Sequence, residues 1–246
     1  MINLMHGDCL ELMKTIPDNS IDMVLTDPPY GTTVCKWDTV IDFELMWKEL
    51  KRITKDNSAI CLFGGNPFQS NLIMSNPKMF RYEWIWDKKV GSNFSVLKYQ
   101  PIRAHESISV FSTKSHRYYP IKEPRTGSGK KRLINGYKSD SLAGDACLIK
   151  NVTRKGKIYD ELKNPSSIQY FNPRDKDRGF HPTQKPVALL EYLIKTYTLE
   201  NETVLDFTMG SGSTGVACKS LTRKFIGIEL DDKYFNIAKD RINANL

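Results

Sequence analysis

Over residues 1–113, short apolar runs alternate with longer amphipathic stretches. "INLMH", "IDMVL", "SAICLFGG", "YEWIWD" and "SISVFS" read as strands, and "FELMWKELKRIT" repeats its apolar positions at helical spacing. Such β/α alternation predicts a largely parallel sheet. From 114 to 180 the pattern breaks into "PRTGSGKKRLINGYKSDS" and "RKGKIYDELKNPSS", rich in Gly, Pro, Ser and basic residues. That composition predicts an inserted, loop-rich segment. From 181 onward order returns: helix "PVALLEYLIKTYT", strand "TVLDF", a glycine loop, helix "STGVACKSL", strand "KFIGIEL" and helix "DKYFNIAKDRIN". Trp84 and Trp86, at strand spacing, read as core, and the adjacent Lys88 and Lys89 as a solvated pair.

A chain of 246 residues with 40% hydrophobic and 26% charged residues is that of an ordinary globular protein. It has room for one large α/β domain, or for one domain carrying an insertion. No stretch approaches the ~18 apolar residues of a membrane span. "MINLMHGDCLELM" has an early acid and no basic flank, so it does not read as a signal peptide. Five cysteines without ligand spacing predict reduced thiols in the cytoplasm, and with four scattered histidines they predict no metal site. The net charge of +8 is uneven. Residues 114–178 hold 16 Lys+Arg against 7 Asp+Glu, a surplus of nine that leaves the rest at −1. One region, densest at Lys130, Lys131 and Arg132, is thus suited to an anionic partner such as nucleic acid.

Two motifs carry the chemistry. "TDPPYG" follows the apolar run "IDMVL", and its prolines cannot continue a sheet. The strand therefore ends near Thr26, and Asp27-Pro28-Pro29-Tyr30 forms a stiff loop at the carboxyl edge, where open α/β sheets bind ligands. Taken alone, that loop reads first as a rigid strand exit with a structural Tyr. "VLDFTMGSGSTG" sets Gly210, Gly212 and Gly215 between a strand and a helix, a pattern shared by NAD sites and other adenosine-cofactor sites. Glu229, at the end of the next strand, is placed to accept hydrogen bonds from a ribose diol. A dinucleotide domain needs further βα units after its glycine loop, and only one more strand follows. The missing strands must come from the N-terminal half: "INLMH", with Asp8 just past its end, and "IDMVL" beside the glycine-loop strand. The sheet then closes by circular permutation, and Asp27 and Tyr30 meet the glycine loop on one edge.

Together "HGDCL", "TDPPYG", "RAHESISVF", "HPTQKP", "VLDFTMGSGSTG" and "FIGIEL" resemble the S-adenosylmethionine-dependent DNA methyltransferases of the amino-group type, in the β order. The resemblance runs nearly end to end; only the basic middle has no matching pattern. It implies an α/β, Rossmann-like fold: a circularly permuted, mostly parallel seven-stranded sheet with helices on both faces, plus the loop-rich basic insertion. Residues 1–113 would form the catalytic half, 114–180 a target-recognition insertion and 181–246 the cofactor half. Asp27, Pro28, Pro29 and Tyr30 would be catalytic. Asp206, Phe207, Gly210 and Gly212 would hold the methionine and ribose end of S-adenosylmethionine, and Glu229 the ribose hydroxyls. Asp8 and Cys9 would flank the adenine, while Thr183 and Lys185 would come from "HPTQKP", the lysine near the methionine carboxylate. His105 and Glu106 would support the site loop.

Within the family an initial Asp in the tetrapeptide goes with adenine N6 and Ser with cytosine N4, so the expected reaction is methylation of adenine N6 in double- or single-stranded DNA. Cytosine N4, or adenine in RNA, is the alternative; an NAD-dependent oxidoreductase is opposed by the chain order. A paired base cannot reach such a site and must be flipped out. Tyr30 would stack on it through the ring face alone, so Tyr30→Phe is expected to be tolerated. The resemblance further implies a bacterial or phage-infected cytoplasm, often a homodimer, and no metal.

Overall fold

The fold comes from a computed structural model, which describes residues 1–32, 38–91, 94, 97–126, 161–174 and 179–244. The chain forms two compact units, residues 120–166 and the remainder.

In the larger unit the parallel strands are β1 (Ile2–His6), β2 (Ile21–Thr26), β3 (Thr54–Gly64), β9 (Thr203–Asp206) and β10 (Lys224–Glu229), joined by β4 (Phe80–Asp87), β5 (His105–Phe111) and β8 (Ile168–Tyr170). Their order is β1-β10-β9-β2-β3-β5-β4-β8. All pairs are parallel except β3–β5 and β4–β5, so only β5 runs against its neighbours. The permuted closure is as the sequence implies, with β2 beside β9 and β1 beside β10. The sheet has eight strands rather than seven. The extra one, β8, is three residues with exposed Ile168 and Tyr170, too short to stand out from its basic, loop-like surroundings.

Helices cover both faces. Along β2 and β3, Met23, Leu25, Ala59, Cys61 and Phe63 enter one core cluster, while Val24, Ile60 and Leu62 enter the other. This alternation of direction explains the unbroken apolar runs: a sheet buried on both sides has no polar face. The first cluster takes Leu189, Leu193, Val216, Ala217, Ala238 and Ile242 from α4 (Val187–Tyr197), α5 (Ser213–Ser220) and α6 (Asp232–Ala244). The second takes Met13, Met46, Leu50, Phe68 and Leu72 from α1 (Cys9–Met13), α2 (Phe43–Ile53) and α3 (Phe68–Ser75). Trp84 and Trp86 are buried in the first cluster. Among the described residues, no helix is long and apolar enough to cross a membrane.

The strand order reverses between β9 and β2, so their following segments leave toward opposite faces and open a crevice at the carboxyl edge. Residues 120–166 contain an antiparallel ribbon of β6 (Glu123–Pro124) and β7 (Leu162–Lys163), with Lys163 3.3 Å from Glu123. Lys130, Lys131 and Arg132 lie outside the described residues.

Candidate active site

At the end of β2 the backbone stops pairing at the two prolines, and the Asp27 side chain is left partly buried at the mouth of the crevice. Its Oδ1 accepts the Tyr30 hydroxyl at 2.5 Å, and its Oδ2 accepts a hydrogen bond from Lys185 Nζ. The turn is held from below by Asp38, whose carboxylate accepts the backbone N–H of Tyr30, Gly31 and Thr32 at 2.8–2.9 Å. The Tyr30 ring stacks on Phe68, with centroids 4.8 Å apart. Burial pushes the Asp27 carboxyl above its ordinary value, against the pull of Lys185. Burial also pushes the Tyr30 phenol well up, and Asp27 beside it adds to the effect.

Across the strand pair, the glycine loop leaves β9 and turns into α5. Gly210 and Gly212 both take positive φ, 51° and 80°, which an L side chain rarely adopts. Glu229 braces this loop, with Oε2 accepting Gly210 N–H and Oε1 accepting Asp231 N–H, each at 2.8 Å. Asp206 is buried, accepting hydroxyls from Thr26 (2.7 Å) and Thr214 (2.6 Å). Burial nevertheless pushes its carboxyl up to about 6. Thr208 ties the two motifs together, its hydroxyl donating to the Asp27 carbonyl at 3.2 Å. Asp8 caps α1 by accepting Leu10 and Glu11 N–H, and burial pushes the Cys9 thiol up to about 12. From the "HPTQKP" segment, Thr183 pairs its hydroxyl with His181 Nδ1 at 3.0 Å. Burial and the Lys185 charge push His181 down to about 4.

One cavity of about 810 Å³ joins these parts. Asp27 to Tyr30 line it on one side; Asp206, Phe207, Gly210 and Glu229 line it on another; Asp8, Cys9, Thr183 and Lys185 complete it. It thus holds a stiff acceptor loop and an adenosine-type glycine loop in a single space, at the reversal point of the sheet. Residues 21–240 match the DNA methylase family of N6 and N4 methyltransferases.

The chain belongs to that family. Among its relatives are the Type II methyltransferases M2.LlaDCHI of Lactococcus lactis subsp. cremoris (30% identical, over 98% of this chain and 88% of that one) and M.HinfI of Haemophilus influenzae (29%, 97% and 67%). The fold is that of the M1.HpyAVI–SAM complex (TM-score 0.68, 24% identical, 99% of this chain and 100% of that one). It is equally that of the cytosine-N4-specific PvuII DNA methyltransferase (TM-score 0.68, 16%, 98% and 86%).

Four expectations change in this methylase. Gly212 does not line the cavity; a Cβ there would lie 2.9 Å from the Ala238 Cβ, so its glycine serves the approach of α6. Lys185 stands on Asp27, where burial would pull its ammonium down but Asp27 and Glu106 hold it up. Lys88 is not solvated: it is buried, with its ammonium 2.8 Å from Glu106 Oε1. Tyr30 offers its hydroxyl as well as its ring, since the hydroxyl is spent on the Asp27 carboxylate. The sequence reading also missed Asp38, eight residues past Tyr30, and Arg241, a buried arginine that donates to the Ser211 carbonyl and, at 3.0 Å, to its hydroxyl. Asp38 could have been found as an acid within a turn's reach of a glycine. Arg241, in the polar "AKDRIN", gave no signal.

Proposed function

We propose that this DNA methyltransferase acts on the N6 amino group of adenine, presented as a flipped-out base to Asp27. The observation that carries the reading is the shared cavity: the Asp27 carboxylate and the glycine loop line one space, with Thr208 bonded to the Asp27 backbone carbonyl and the Asp206 carboxylate. An exocyclic amine is a weak nucleophile because its lone pair is delocalised into the ring. Asp27 and the Pro28 carbonyl can accept hydrogen bonds from its two N–H groups, which returns density to the nitrogen and stabilises the positive charge that develops there. The two prolines keep those acceptors in place, so orientation is fixed before the base arrives.

The methyl donor is S-adenosylmethionine, which supplies an activated methyl group on a neutral leaving group. The residues fit it: the cavity is in the range of small-molecule sites, and Glu229 offers lone pairs beyond the two that hold backbone amides. Glu229 and Asp8 would hold its ribose and adenine ends, with the glycine loop around its methionine end. Tyr30 fixes the carboxylate and gives the base one aromatic wall.

Asp as the first residue of the tetrapeptide supports adenine. The test is nucleoside analysis of DNA from cells expressing the protein. N6-methyladenine is the expected product; N4-methylcytosine in its place overturns the base assignment, and neither product overturns the reaction.

A further inference from the structure

Lys185 poses a difficulty for the reaction. In this state its ammonium occupies Asp27 Oδ2 while Tyr30 occupies Oδ1. The target amine needs an Asp27 oxygen, and it becomes cationic as the methyl arrives. An ammonium left beside it would oppose that charge at contact distance.

The structure provides a second seat. Glu106 Oε2 lies 3.5 Å from Lys185 Nζ, and among the described residues it has no hydrogen-bond partner. Its sister oxygen is held at 2.8 Å by Lys88, which the β4–β5 register places alongside: Trp86 is opposite Glu106, and Lys88 lies two residues on. Lys88, Glu106, Lys185 and Asp27 all line the cavity, with charges alternating along the row. This buried oxygen is paired with Lys185 only at the outer limit of contact, short of a full hydrogen bond, which is costly for a buried carboxylate.

We infer that Glu106 is a positioning residue that draws the Lys185 ammonium off Asp27 when the target base enters, and that Lys88 holds Glu106 ready for it. The base then meets a carboxylate freed of its counter-ion, and the cation moves away from the nitrogen that becomes charged. Burial raises the Glu106 carboxyl, but Lys185 and Lys88 outweigh it and keep the group ionised, as a receiving seat must be. This inference rests on the role given to Asp27 above.

Single-turnover methylation of a duplex that the wild type modifies tests it, with Tm and S-adenosylmethionine affinity measured alongside. Glu106→Gln keeps the shape and removes the charge. A tenfold or greater loss of rate is expected, with cofactor affinity within twofold of wild type. Glu106→Asp keeps the charge and should recover most of that rate. A wild-type rate for Glu106→Gln, or equal losses in the two variants, overturns the inference and leaves the row as a structural staple. If Glu106→Gln does not fold, a structure of the wild type with a base in the cavity decides instead. Lys185 on Glu106 supports the seat, and Lys185 still on Asp27 overturns it. Asp27→Ala is the control for the underlying reading, expected to lose roughly 100–1,000-fold. Near-normal turnover in that variant sinks the role of Asp27 itself, whatever Glu106→Gln does.

Discussion

A single hydroxyl separates two accounts of Tyr30. If the ring alone mattered, Tyr30→Phe would be silent; the 2.5 Å bond to Asp27 says otherwise. A hydrogen bond to a charged group contributes about 1.5–3 kcal/mol, so Tyr30→Phe should lower turnover by roughly tenfold or more. Tyr30→Ala, which also loses the contact with Phe68, should lose more; steady-state kinetics on both variants checks the order. Asp206 gives a stability prediction. Its folded carboxyl, at about 6, stands above the ordinary 3.8, so the folded state binds the proton more tightly. Its contribution to stability therefore falls as pH rises from about 4 to about 6, and the buried charge costs ~3 kcal/mol near neutral pH. Asp206→Asn removes that dependence. The stability difference between variant and wild type should shift in the variant's favour by about that amount from pH 4 to pH 7, read by urea denaturation. A constant difference would mean that Asp206 is ionised throughout. What the sequence could and could not reveal follows the same chemistry. The Asp27–Tyr30 turn was legible because it is written in four consecutive residues, two of them prolines that end the strand. The Lys185–Asp27 pair was not, because it spans 158 residues, and Lys88 looked solvated because its partner arrives only through the register of β4 on β5.

At the scale of elements, the glycine loop is shaped from outside by α6. Gly212 and Gly215 have no room for a side chain: a Cβ on Gly215 would come within 2.3 Å of Ile242 Cδ1. Arg241, one residue earlier on the same helix, holds the Ser211 carbonyl. The helix therefore sets the loop both by packing and by a charge-assisted bond. Arg241→Met keeps the apolar stem and drops the bond. It should weaken S-adenosylmethionine binding about tenfold while leaving DNA affinity unchanged, a split that calorimetry on each ligand would reveal. Unchanged cofactor affinity would reduce Arg241 to a packing residue. Strands β2, β9 and β10 were legible for a physical reason: each is largely buried between helices and carries an apolar run bounded by breakers. Strand β8 was not, because three residues on a sheet edge need bury almost nothing.

For the whole molecule, charge is divided as sharply as structure. The surplus of nine basic residues lies within 114–178, and the remainder of the chain is close to neutral. Under the proposed role of that segment, Lys130, Lys131 and Arg132 neutralise phosphates. Replacing all three with alanine should then reduce the slope of log affinity against log salt by roughly 2.7 on B-DNA. Binding should weaken alike for every sequence, because phosphate contacts position rather than specify. An unchanged slope would leave the run as a solvated loop, and an altered sequence preference would make it a base reader.

The permuted sheet also has a consequence for the making of the protein. Strand β2 is buried between β3 and β9, and Thr26 finds its partner Asp206 180 residues later. At bacterial-to-eukaryotic synthesis rates, that interval lasts roughly 10–40 s. Throughout it β2 has an unpaired edge flanked by apolar side chains, the kind of edge that invites wrong pairing and engages chaperones. Asp27 meanwhile lacks Lys185, synthesised near the end of that interval, and Thr208, synthesised just after it. A chain still short of β9 therefore holds only part of the cavity, which is completed when β9 slots in beside β2.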